Sequence, residues 1–153
     1  MRIFIDTEFT DFVNPELISI GLISECGNHE FYAELPVNVR RCNEFVIKTV
    51  LPQLAKSNDA QYSLKRLTSE LSNWLLQFQL QDAVICFDYV GDWTLFCYAM
   101  NYEIPQWLRY ENIYVYLNDR KLEEFFIKNN LRSHHALNDA KANRFAFEPL
   151  RKK

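Results

Sequence analysis

Two carboxylates, Asp6 and Glu8, stand two residues apart in the opening run MRIFIDTEFTDF. Met1–Ile5 is strand-like, and on an extended backbone residues i and i+2 point to the same side. Both groups would therefore enter one small volume at the end of the first apolar strand. A buried carboxylate is costly unless it is paired or bound to a metal. The pair asks for a cation, and ligands farther along the chain decide whether one can be held.

Two later segments supply candidates. In VICFDYVGDWTLF, Asp88 ends a strand and Asp92 lies four residues on, at the start of a helix. Capping of that helix would by itself explain Asp92, because Asp meets unpaired backbone N–H groups there. In SHHALNDAKAN, Asp139 falls on the last helix beside Ala136, Ala140 and Asn143, small residues that let a helix approach a sheet. A solvent-facing Asp139 is the plain alternative, since most Asp residues are exposed. His134 precedes Asp139 by five positions, a spacing that splays side chains apart within a regular helix. Both can serve one site if His134 lies in the entering loop, where its imidazole titrates near neutral pH. A surface doublet with His135 is the competing reading. His29, in a hairpin turn, supports no functional claim. Four carboxylates, Asp6, Glu8, Asp92 and Asp139, thus come from three segments together with one histidine. Hard oxygen ligands in that number suit Mg²⁺ or Mn²⁺ rather than zinc. Two such ions roughly 3.5–4 Å apart are a known arrangement for phosphodiester cleavage.

The elements that must position these groups follow from the hydrophobic pattern. Leu17–Ser24 (LISIGLIS) reads as a mostly buried strand, and Glu30–Leu35 alternates as a third. The turn ECGN at 25–28 joins them. A helix-leaning stretch covers Asn43 to Leu54. Leu64, Leu67, Leu71, Trp74, Leu75 and Phe78 recur at helical spacing, as expected of a core-packed helix. Ala83–Phe87 reads as a short buried strand, Gly91–Met100 as a helix and Ile113–Tyr116 (IYVY) as another strand. Asp119–Asn129 reads as a helix capped by Asn118 or Asp119, with Leu122, Phe125 and Phe126 inward. The last helix is expected from near Ser133 to about Phe147. The order implies an α/β fold: a mixed five-stranded sheet, an antiparallel meander first and then parallel strands, with helices on both faces.

Length and composition set the outer bounds. A chain of 153 residues suits one domain, and 48% apolar residues suffice for a core. Three glycines and five prolines argue against a disordered or loop-dominated chain. Cys26, Cys42, Cys86 and Cys97 form no CxxC pair, which argues against structural zinc; all four are expected reduced, with Cys26 and Cys86 in apolar, strand-like surroundings. No stretch is long enough to cross a membrane, and a core beginning at residue 1 leaves no room for a cleavable leader. A cytoplasmic protein with no membrane partner is expected. The net charge of −3 is not the footprint of a simple nucleic-acid binder.

DTE at Asp6–Glu8, an Asp in a strand-to-helix segment, and H-x-A-L-x-D at His134–Asp139 together resemble the DEDDh 3'-to-5' exonucleases. The likeness is greatest to the small single-domain bacterial exoribonucleases of that group. It spans nearly the whole chain, in order. The resemblance implies an RNase H-like fold over 1–153, two Mg²⁺ or Mn²⁺ ions, and release of 5'-mononucleotides from the free 3' end of RNA, or alternatively DNA. It implies that Asp6 bridges both ions, Glu8 and Asp139 complete the shell of the first ion, Asp92 holds the second ion, and His134 is the general base. Family spacing selects His134 over His135. In the middle motif Asp88 stands where relatives commonly have Asn, which adds negative charge and makes Asp92 the expected catalytic residue. Thr7, Phe9, Asp88 and Tyr89 are the expected substrate contacts, with Phe12 and Trp93 as further aromatic candidates. Two divalent ions would reverse the local sign of charge. Arg40–Arg41, Lys65–Arg66, Arg120–Lys121 and Arg151–Lys153 are candidate phosphate contacts, and a homodimer is a candidate assembly. An inactive nucleic-acid-binding relative and a nuclease that cuts internally are the competing functions.

Overall fold

The computed structural model describes residues 1–55 and 61–149. Five strands form one sheet: β1 (Arg2–Phe9), β2 (Leu17–Ser24), β3 (Glu30–Glu34), β4 (Val84–Phe87) and β5 (Arg109–Asn112). Their order is β3-β2-β1-β4-β5. The first three pair antiparallel, and β4 and β5 join parallel to β1. The hairpin between β2 and β3 turns at Gly27, whose φ of 78° favours glycine. Four α-helices complete the frame: α1 (Leu64–Leu76), α2 (Val90–Ala99), α3 (Asp119–Asn129) and α4 (Ala136–Ala146).

The sheet is covered on both faces, as the uninterrupted burial of β2 requires. On one face Ile5, Leu22, Phe31 and Ile85 pack against Leu67, Leu71 and Leu75 of α1 and against Leu95 and Phe96 of α2. The Leu stripe read from the sequence is that buried face of α1, and Ser63 caps it by accepting from the Arg66 N–H. On the other face Phe4, Ile23 and Cys86 pack against Ala140 of α4 and Ile113. Helix α3 lies against α4, with the Phe125 and Phe145 ring centroids 5.7 Å apart. Asn118 is its cap, accepting from the Lys121 N–H.

Register then decides what surrounds Asp6 and Glu8. Asp6 pairs with Gly21 and Glu8 with Ser19 on β2, so small residues flank both carboxylates. Helix α4 uses that space. A Cβ placed on Gly21 would lie 2.3 Å from the Leu137 nitrogen and 2.5 Å from the Ala136 carbonyl carbon. The first turn of α4 therefore rests directly on the β2 backbone.

Several boundaries differ from the sequence reading. Strand β1 runs on through Phe9, past Ile5, so Asp6 and Glu8 lie within the ladder. The last parallel strand is Arg109–Asn112, and Tyr114–Tyr116 is a 3₁₀ turn. As an edge strand, β5 has mainly exposed residues and no apolar signature, while in IYVY only Ile113 is buried. The stretch 43–54 is a π turn at Val46–Val50 followed by a 3₁₀ turn at Leu51–Gln53; Val46 and Val50 pack on Ile18. Helix α4 begins at Ala136, later than Ser133, because His134 is left-handed with φ 66°. Cys26 is exposed in the hairpin turn, whereas Cys86 is buried; all four thiols are free. No helix among the described residues is long and apolar enough to cross a membrane.

The contact at Gly21 can be tested directly. Gly21→Ala forces a methyl into the α4 backbone and should cost about 1–3 kcal/mol or more, read as a lower thermal midpoint. An unchanged midpoint would show that α4 does not rest on β2 as described.

Candidate metal centre

Strand β1, the β4–α2 junction and the entry to α4 converge on one cavity of ≈ 500 Å³. Asp6, Glu8, Asp88, Asp92, His134 and Asp139 all line it. Strand alternation places Asp6 and Glu8 on the face covered by α4. Asp92 arrives from the opposite side, in the first turn of α2. Asp92 carries its carboxylate at the N-terminal end of its own helix, where negative charge is favourable. Its Oδ1 accepts from the Thr7 hydroxyl at 2.6 Å and the Thr7 N–H at 3.1 Å, which ties α2 to β1. Asp139 is held in the same manner, accepting at Oδ2 from the backbone N–H of His134 at 2.7 Å and of His135 at 3.0 Å. The left-handed turn at His134 aims both N–H groups at one oxygen. It also puts His134 outside the helix, where a five-residue spacing can serve one site.

Within this cavity two groups of three ligands have donor atoms within 4.8 Å of one another: Glu8, His134 and Asp139, and Asp6, Asp88 and Asp92. Five carboxylates and one imidazole thus face a common space, and among the described residues no Lys or Arg lines the cavity. These clusters could hold metal ions, and the oxygen-rich donor set matches hard divalent cations.

The electrostatics are those of like charges crowded into a buried space. Burial, reinforced by the charges of Asp92, Asp139, Glu8 and Asp88, raises the Asp6 carboxyl well above the usual range. Burial and then the Asp139 and Asp92 charges push Glu8 up to about 8. Burial also lifts Asp92 and Asp139 to about 7 each, against the pull of the hydrogen bonds from Thr7 and from His135 and His134. Asp88 is raised by burial as well. Burial lowers His134, which favours its neutral form, the form that accepts a proton.

The remaining expected residues are placed as follows. Thr7 is buried, and its hydroxyl and N–H are both given to Asp92. Asp88 accepts from the Asn143 amide at 2.9 Å. Phe9 and Tyr89 stack at 6.1 Å between centroids, and Phe12, 73% exposed, meets both rings edge-on. Trp93 is away from the cavity, stacked between Phe87, Phe96 and Tyr110. Arg41, Arg66 and Lys121 are ion-paired with Glu16, Glu70 and Glu148. Arg151–Lys153 lie outside the described residues. Sequence reasoning missed Asn43, Phe45, Val46 and Val50, which also line the cavity. It also missed the bond from Asn143 to Asp88, although Asn143 sits four residues after Asp139, on the same helix face.

The raised carboxyls give a signed pH dependence. A group whose folded pKa lies above its unfolded value adds stability below the unfolded value and loses it as pH rises through the folded one. The metal-free chain should therefore lose stability between about pH 4 and pH 8, the span from the unfolded to the folded values of Glu8, Asp92 and Asp139. Mn²⁺ or Mg²⁺ should restore it, by about 2.7 kcal/mol at a hundredfold excess over Kd. Thermal midpoints with chelator and with metal across that range would check this. A flat profile with no response to metal would remove the cation reading.

No protein-family model matches this chain and no curated protein does, so the arrangement of its own side chains must carry any functional assignment.

Proposed function

We propose that the chain is a metal-dependent 3'-to-5' exonuclease of the DEDDh type, acting on RNA, with its sheet and helices in an RNase H-like arrangement. One observation carries the reading. Asp6, Glu8, Asp92 and Asp139, from three separate segments, meet in one cavity that also holds a neutral-leaning His134 and has no Lys or Arg among its described lining residues.

Asp6, Glu8, Asp92 and Asp139 would hold the Mg²⁺ or Mn²⁺ ions. When bound, the ions lower the pKa of water and neutralise charge on the phosphate oxygens. His134 takes a proton from the attacking water as its oxygen bonds to phosphorus. The bond from phosphorus to the 3' oxygen of the preceding nucleotide then breaks. The products are a 5'-mononucleotide and a strand one residue shorter with a new 3'-hydroxyl. Asp88, fixed by Asn143, adds negative charge beside Asp92 and strengthens the demand for a cation. The rings of Phe9, Phe12 and Tyr89 line the cavity and offer faces for the terminal bases. Such stacking is worth about 1–3 kcal/mol per base.

The experiment is a time course on end-labelled single-stranded RNA and the matching DNA, with Mg²⁺, with Mn²⁺ and with chelator. RNA should shorten from its 3' end only when metal is present, while a circular strand stays intact. Cutting of the circle would mark an endonuclease, and preference for DNA would reassign the sugar. His134→Ala should lower kcat by about 10²–10⁴-fold. Asp6→Asn should abolish turnover, yet melt no lower without metal, because an amide is spared the cost of ionising within a repelling cluster. Equal turnover by Asp6→Asn and the native chain would overturn the assignment.

A further inference from the structure

We infer that Gln53 is a positioning residue for His134, holding the left-handed turn from which the imidazole enters the cavity. The inference rests on the reading of His134 as general base.

Left-handed backbone is uncommon for a residue with a side chain, and it persists only where surrounding contacts impose it. His134, at φ 66°, is gripped on both sides of its backbone. The N–H groups of His134 and His135 point inward and are taken by Asp139. The carbonyls of the same turn point outward and are taken by one side chain. The Gln53 amide nitrogen donates to the Ser133 oxygen at 2.8 Å and the His134 oxygen at 3.1 Å, and also to the Thr49 oxygen at 2.9 Å. Two amide hydrogens are thus shared among three carbonyls, two of which flank the critical residue.

Gln53 is itself well anchored. It ends the 3₁₀ turn after Val46–Val50, whose valines are buried on Ile18. Asn43 caps that segment by accepting from the Val46 N–H at 2.9 Å. The segment also carries Phe45, whose ring meets the His134 imidazole edge-on at 4.9 Å. Gln53 and Phe45 therefore bracket His134 from one support, one setting its backbone and the other its ring. The Ser133 and His134 carbonyls belong to the same two peptide planes whose N–H groups Asp139 accepts from, so Asp139 and Gln53 hold each plane at opposite ends. Gln53 lies 80 residues from Ser133 in sequence, so nothing local in the chain marks this role.

Three variants separate donor chemistry from bulk. Gln53→Glu and Gln53→Leu keep the size but remove the N–H donors, whereas Gln53→Lys restores a donor. With metal and RNA, the Glu and Leu variants should lose about 10–100-fold in kcat, the cost of a misplaced base, with KM within about threefold of native. The Lys variant should retain most of kcat. A second measurement does not depend on turnover: the nuclear Overhauser contact between the Phe45 and His134 rings, and the exchange rate of the His134 amide. Glu and Leu should weaken the ring contact and speed exchange, while Lys should preserve both. If the native chain degrades neither RNA nor DNA, the nuclease reading fails, and the ring contact and amide exchange still decide whether Gln53 positions the turn. An intact ring contact with native exchange in Gln53→Leu would overturn the inference. So would a loss shared equally by Lys, or a change confined to KM.

Discussion

Mutual repulsion among buried carboxylates is the constraint on which the rest of this structure turns. Five acidic side chains are brought to one cavity, and each would be more stable apart or in water. The fold keeps them together with fixed, neutral donors. Thr7 holds Asp92, the His134–His135 backbone holds Asp139, and Asn143 holds Asp88. None of these donors carries a formal charge. They aim the oxygens without neutralising them, which leaves the field open for a mobile cation. A lysine or arginine in the cavity would ease the strain of assembly and spoil the site for metal.

That arrangement depends on backbone contact at a distance from the carboxylates. Asp139 reaches the sheet because α4 starts on top of Gly21, and it does so at the register position beside Asp6. The left-handed turn at His134 is then needed to enter the helix at that height while presenting two N–H groups to Asp139. Asp92 is anchored through Thr7, whose position between Asp6 and Glu8 lets its hydroxyl face the opposite side of the sheet. One short strand therefore serves α2 with its odd residue and α4 with its even ones.

Much of this was legible before any coordinates. Alternation placed Asp6 and Glu8 together, and the Leu stripe of α1 declared its buried face, because both signals depend only on local periodicity. Small residues around Asp139 foretold a close helix. What failed depended on tertiary context. Strand β5 has no apolar code because it lies at an edge, so the more apolar neighbour IYVY drew the assignment. Capping was a sound local expectation for Asp92, which does lie in the first turn of its helix, yet nothing local announces that a donor eighty-five residues away also holds it. Gln53, Phe45 and Asn143 act across long sequence separations through single contacts, and a single polar or aromatic residue has no period to read.

The lining of the cavity also bears on how the molecule would respond to its surroundings. Proteins that grip nucleic acid through lysine and arginine release it as monovalent salt rises, because counterions compete for phosphate. No such side chain is among the described lining residues here, and Arg41, Arg66 and Lys121 are each ion-paired with a glutamate. On the proposed function, the hold on the terminal phosphate would pass through the divalent ions themselves. Free Mg²⁺ or Mn²⁺ would then govern affinity as well as chemistry, and ordinary ionic strength would have little leverage on either. A strand shortened by one nucleotide would be retained mainly by ring stacking, so the enzyme would let go often and start again on another end.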